Sequence, residues 1–336
     1  MATYIPNNQS GAAVDILSVT DALARAARTA GYAPSIHNTQ PWRWRLARGT
    51  LDLYLERSRV LAATDPDGRL ATISCGAALN HARVALAAGG WNATVSRLPE
   101  PAHPDHLARL HVQRGPVDPL AVHRSHAILM RYTDRRPVTG PAVQAEDIAA
   151  IVKSVEAQGI WLHVLHPDQL YDLAAASEYA RRTEAAEAPW RDELAYWTGG
   201  DRPDGTGAPD SAIPAENPQT PIPGRDFAHY GTLRISAEHD RLAVFAMLYG
   251  PGDRPADWLR AGEALSAGWL TATERGVTVL PLSVTIEVPS TREVMRRFVA
   301  GLGCPYLILR LGMIDPAEAV PTPTPRLPTD QIIERA

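Results

Sequence analysis

Cysteine is almost missing from this chain: Cys75 and Cys304 are the only two among 336 residues. A disulfide scaffold is therefore not needed, and two reduced, buried thiols in a cytoplasmic protein are expected. Long apolar runs are missing as well, and none approaches the roughly 20 residues that cross a bilayer. Between Met1 and Gly11, the polar Asn7, Asn8 and Gln9 stand where an export signal would carry its apolar region. No membrane partner and no leader are expected on these grounds. A block of one charge is absent too, since the net charge of −4 comes from interspersed Asp, Glu, Arg and Lys. Without a basic stripe, nucleic acid is not an expected partner.

Compact ligand motifs are also lacking. There is no G-x-G-x-x-G after a strand, no G-x-x-x-x-G-K-S/T and no G-x-S-x-G. This argues against dinucleotide-fold, P-loop and α/β-hydrolase readings, and any phosphate grip must come from side chains. The pairs His103/His106, His123/His126 and His163/His166 have ligand-like spacing, but Pro104 interrupts the first. No Cys or Glu is spaced to complete a tetrahedral set, so no metal is expected.

With 45% hydrophobic residues the chain can bury a large core, as two domains or two intimately fused halves. Helical periodicity runs from Ile16 to Ala30, with Gly31 as a stop. Alternation in Trp42 to Leu46 and in Leu51 to Glu56, around Arg48-Gly49-Thr50, predicts a hairpin in which Trp42 and Trp44 pack. A buried helix is expected over Ile73 to Ala88 and a strand over His106 to Val112, before Pro116 and Pro119 mark a boundary. Beyond it the pattern restarts, with helices at Ala145 to Gln158, Asp168 to Ala188 and Asp257 to Arg275. Strands are expected at Ile160 to Leu165, Leu242 to Leu248, Val277 to Leu280 and Tyr306 to Leu311. Gly199 to His229 holds six prolines and five glycines; a segment of this length is a lid, a binding loop or disordered, and its prolines favour an ordered lid.

Two short stretches carry the chemistry. Ala33-Pro34-Ser35-Ile36-His37-Asn38-Thr39-Gln40-Pro41-Trp42 follows the first helix, and Arg131-Tyr132-Thr133-Asp134-Arg135 lies nearly a hundred residues downstream. They resemble the flavin-edge turn and the phosphate-gripping segment of nitroreductase-family flavoproteins. Ordinary members open with Arg-x-Ser/Thr-x-Arg/Lys and reach Ala-Pro-Ser about one helix later, so the order here is inverted. Over nearly the whole chain the resemblance is to the Acg-type, dormancy-associated branch. It implies an α+β, nitroreductase-like fold: a single-chain pseudo-dimer with one half at 1–118, the other at 119–336, and a lid at 199–229. The first half lacks the arginine-rich opening and the second lacks the Ala-Pro-Ser turn, so one complete site per chain, and a monomer, are expected.

The resemblance further implies FMN as cofactor, NADH or NADPH as candidate reductants, and no catalytic side chain, because flavin N5 carries the chemistry. Arg131, Thr133, Arg135 and Arg326 (in Pro325-Arg326-Leu327-Pro328) would grip the phosphate, since guanidinium forks suit phosphate oxygens. The alternative is a solvated face of Arg131, Arg135 and Arg136. Pro34, Ser35 and Ile36 would meet the ring edge, with Asn38 and Gln40 holding the turn. His37 is as readily a local hydrogen-bonding residue. Leu282, Ser283 and Val284 would pass N5, and Arg234 would reach the pyrimidine edge. Arg310, inside an apolar strand, needs a phosphate or a carboxylate if buried. Two enzyme-fold functions follow, FMN sequestration under the lid or NAD(P)H-dependent reduction of nitroaromatics or quinones. A cofactor-free interaction protein is the third.

Overall fold

The computed structural model describes residues 9–199, 202–235, 240–315 and 322–335, with side chains from residue 18 onward. The opening residues 1–8 and two residues of the Pro/Gly segment, 200 and 201, lie outside the described residues. Helix α1 (Gln9–Ala30) starts earlier than its apolar period suggests, then stops before Gly31. Strands β1 (Trp42–Ala47) and β2 (Thr50–Leu55) form the expected hairpin, with Gly49 at φ 83° in its turn. Their register opposes Trp42 to Leu55, Trp44 to Leu53 and Leu46 to Leu51, which stacks every large apolar side chain on the buried face.

Helix α2 (Arg69–Ala88) is followed by β3 (Trp91–Arg97) and β4 (His106–Arg114). A helix starts at the expected boundary. Pro119 opens α3 (Pro119–Met130), whose Leu120 amide is capped by the Asp118 carboxylate at 2.9 Å. Then come α4 (Ala145–Glu156), β5 (Trp161–Val164), α5 (Pro167–Ala186) and α6 (Ala188–Thr198). The long helix expected over Asp168 to Ala188 is α5; α6, which was not expected, follows it with Pro189 accommodated in its first turn, where a missing amide hydrogen costs nothing. Strand β6 (Val244–Gly250), α7 (Pro255–Glu274), β7 (Thr278–Leu282), α8 (Val284–Glu287), α9 (Pro289–Arg297) and β8 (Cys304–Gly312) complete the second part. Helix α10 (Thr329–Ile332) and β9 (Ile333–Arg335) end it.

Two sheets result, ordered β3-β4-β2-β1-β9 and β5-β6-β8-β7. Between them α2 and α7 cross almost backbone to backbone. A Cβ built on Gly76 would lie 2.1 Å from the Leu259 carbonyl, and one on Gly262 would lie 1.9 Å from the Ile73 carbonyl. Each helix feeds both cores: Leu259 of α7 packs with the first sheet, while Leu70 and Ile73 of α2 pack with the second. The tail returns to the start, since β9 runs parallel to β1 and both Leu327 and Ile332 enter the first core. Among the described residues no helix is long and apolar enough to cross a membrane, and no group of three His, Cys, Asp or Glu could hold a metal ion.

Candidate functional site

After α1 the chain folds into a tight turn. The Ser35 hydroxyl accepts from the Gln40 amide at 3.0 Å, and the Ile36 amide donates to Ser74 Oγ of α2 at 3.2 Å. His37, Asn38 and Gln40 all take left-handed φ values of 44°, 56° and 51°. Non-glycine residues hold such conformations only when their surroundings over-determine them. Buried Asn38 donates to the Gly207 carbonyl at 3.1 Å and to the Pro325 carbonyl at 3.0 Å. Gln40 donates to the Gly205 carbonyl at 2.7 Å and accepts from the Leu327 amide at 3.0 Å. The expectation that both side chains hold their own turn is corrected here. Only a 3.4 Å contact from Gln40 to the Asn38 carbonyl does so, because their amides are spent on the Pro/Gly segment and the tail.

Arg131 follows the end of α3 and is 8% exposed. Its guanidinium lies 4.5 Å over the Trp269 ring and donates to the Tyr32 carbonyl at 3.2 Å, near the C-terminal end of α1. Arg326 approaches the same carbonyl at 3.4 Å and donates to Asn38 Oδ1 at 3.2 Å. The Nε atoms of both are buried without an acceptor. Burial, then the Arg326 cation, pushes Arg131 down to about 9, and burial pushes Arg326 down to about 10. Among the described residues no carboxylate enters the electrostatics of either. Two desolvated cations side by side are short of negative charge, and the residue types fit a phosphate dianion.

Arg135 stands apart from that pair. It donates to the Ala212 carbonyl at 3.1 Å and sits 5.5 Å over the Phe227 ring. Burial and then Arg225 push it down to about 10. The segment from 131 to 135 is not helical, so the four steps of chain between the two α-carbons can span up to about 13 Å. His37 joins the Arg135 end. Desolvation, then Arg225 and Arg135, hold its imidazole well below the usual histidine value, so it is neutral at neutral pH. Thr133 bridges Val279, and the Asp134 amide donates to the Val279 carbonyl at 3.2 Å, which lays the arginine-bearing segment along β7. Strand β7 ends at Leu282 and passes through Ser283 into α8, where the first amides lack intrahelical acceptors.

One cavity brings Pro34, Ser35, Ile36, His37 and Asn38 together with Arg131, Thr133, Arg135, Arg326, Leu282, Ser283 and Val284. Arg234 is exposed and does not line it. Arg310 lines it, but its charge is taken by Asp240 at 2.7 Å, and it also donates to the Asp134 carbonyl at 2.9 Å. Sequence reasoning missed Ser74 and Trp269 on α2 and α7, and Arg225, Phe227 and Tyr230 on the Pro/Gly segment. The helix residues carry no signal beyond apolar periodicity. The segment's prolines signalled order, yet nothing in them singled out the side chains that face inward.

No family model matches this chain. Two Mycobacterium tuberculosis proteins named "Putative NAD(P)H nitroreductase" do resemble it. One is 38% identical over 307 residues, covering 90% of this chain and 88% of the relative. The other, Acg, is 35% identical over 325 residues, covering 95% and 97%. Among solved structures, a Desulfitobacterium hafniense nitroreductase with bound FMN aligns at 12% identity and a TM-score of 0.38, over 63% of this chain and 97% of that one. The chain belongs to the nitroreductase family, in its Acg-like branch.

Proposed function

We propose that the chain binds one FMN in the cavity, with the phosphate between Arg131 and Arg326 and the ring edge against Pro34, Ser35 and Ile36. The observation that carries this reading is the pair of arginines, Arg131 buried and Arg326 partly buried, whose buried Nε atoms have no acceptor and which no carboxylate among the described residues compensates. Thr133 would add a hydroxyl to the phosphate end. Arg135, in the company of His37, would meet the ligand at another point. Ser283 and Val284 would offer amides along the ring. When bound, the flavin supplies the redox chemistry, and these residues orient it and exclude water.

Residues 1–118 and 119–336 would be two family-like halves fused in one chain, each supplying part of this one site, so that a single chain suffices. The segment at 199–229 would be a lid. In support, Ile213, Pro214, Asn217, Ile222 and Phe227 form one wall of the cavity. A flavin under that wall would be stored with little nicotinamide access, and this is the use the geometry favours. The second reading, NAD(P)H-dependent reduction of nitroaromatics or quinones, is favoured by the names of the relatives. Anaerobic mixing of the flavin-loaded protein with NADPH separates them. Slow bleaching with NADPH and full bleaching with dithionite supports storage. Rapid bleaching followed by turnover of a nitroaromatic supports the reductase.

A further inference from the structure

The Pro/Gly segment is fastened at two places by different physics. Its foot, Gly205 to Ala208, is tied by neutral hydrogen bonds. The Gly205 carbonyl accepts from Gln40 at 2.7 Å, the Gly207 carbonyl accepts from Asn38 at 3.1 Å, and the Ala208 amide donates to the Trp197 carbonyl at 2.9 Å. Gly205 and Gly207 have φ values of 88° and 71°. A Cβ would come within 2.6 Å of the Arg326 carbonyl at the first and 2.5 Å of the Trp197 carbonyl at the second. Close approach and left-handed backbone both demand glycine there, and the foot has no slack.

The arm beyond, residues 213–230, is fastened by charge. Arg225 is ion-paired with Glu184 of α5 and Glu287 of α8, and its guanidinium lies 3.3 Å from Ser283 Oγ. Both carboxylates are buried, and each keeps one oxygen without a partner. Around it the arm has three further holds: Ile222, 4% exposed, packs with Leu165, Leu173 and Phe298; Phe227 lies against Arg135 at 5.5 Å; and Asp226 forms a half-exposed pair with Arg181 at 3.2 Å.

We propose that Arg225 is the releasable latch of this arm and the foot at Asn38 and Gln40 its fixed hinge, so that the wall opens from the α5–α8 side. This rests on the cavity being the flavin site. Asn38 serves both the foot and Arg326, so opening at the foot would loosen the phosphate grip, whereas opening at the latch leaves it intact. Closure is the resting state, because lifting Arg225 strands two buried carboxylates.

Hydrogen exchange by mass spectrometry on the full chain without flavin tests the latch. Arg225→Gln removes it. Arg225→Gln/Glu184→Gln/Glu287→Gln removes it together with the stranded charges, so that misfolding of the first variant does not decide the matter. In both variants peptides spanning 213–230 should exchange at least tenfold faster than in wild type, with the Gly207 and Ala208 amides unchanged. Unchanged arm exchange in the triple variant, or equal acceleration at arm and foot, overturns the proposal. With FMN bound, the triple variant should release flavin at least tenfold faster, and an equal release rate also overturns it. Failure of wild type to bind any flavin refutes the cofactor assignment alone, since the exchange measurement needs no flavin.

Discussion

Arg83 and Arg97 meet at the Glu263 carboxylate of α7, both at 2.7 Å, with Glu263 only 1% exposed. Arg131 and Arg326 meet each other, a backbone carbonyl and an aromatic face, and no acid among the described residues. Each site holds two arginines at the edge of the core, so the difference is one carboxylate. Where the protein needs an arginine for its architecture, it supplies the counter-charge itself. Arg310 with Asp240 and Arg136 with Asp134 follow the same rule. For Arg131 and Arg326, which have no such partner among the described residues, we propose that the missing charge belongs to a ligand.

The contrast can be broken most forcefully at Arg310. Arg310→Met would leave Asp240, 3% exposed, without its cation, and should cost about 3–5 kcal/mol in chemical denaturation. Glu263→Gln should cost less, about 2–3 kcal/mol, because Arg83 and Arg97 are each about a third exposed and can turn to solvent. At the ligand pair the expectation reverses. Arg131→Met should leave the flavin-free protein as stable as wild type or more so, since it removes a desolvated charge that nothing in the protein balances. A loss above about 2 kcal/mol there would mean that Arg131 is architectural.

A smaller effect sharpens the comparison at Arg225, where one cation serves two acids. Burial raises Glu184 from the ordinary carboxyl value of 4.5 to about 7, with Arg225 opposing and Glu287 adding to the rise. A carboxyl whose folded value lies above its unfolded value contributes stability that is full below the unfolded value and lost as pH rises through the folded one. Wild type should therefore lose stability relative to Glu184→Gln between about pH 5 and 8, by at most about 3 kcal/mol. Parallel melting curves for the two proteins over that range would contradict the assignment.

Much of the site was legible because its motif is contiguous. Pro34 to Asn38 must be close in space whatever the fold, and Gly31 and the hairpin at Trp42 bracket the turn. The two halves of the phosphate pair were legible as residue types, while their meeting depended on the tail returning to β1, which three residues of β9 carry without any periodic signal. The separation of Arg135 from them did not follow from spacing, since chain direction across 131–135 is set by the bridge to Val279. Strand β3 alternates apolar Trp91, Ala93 and Val95 with polar Asn92, Thr94 and Ser96, a legible signal that the sequence reading passed over. The roles of Asn38 and Gln40 were visible as hydrogen bonding, but their partners lie on distant segments that no local pattern names.

The account turns on the missing carboxylate, and one titration tests it most directly: FMN against riboflavin, for wild type and for Arg131→Met. Hydrogen bonds to charged groups contribute about 1.5–3 kcal/mol, so wild type should prefer FMN over riboflavin by at least tenfold, and the variant should lose most of that preference while binding riboflavin as before. Equal affinity of wild type for the two flavins, or equal loss of both in the variant, would contradict it.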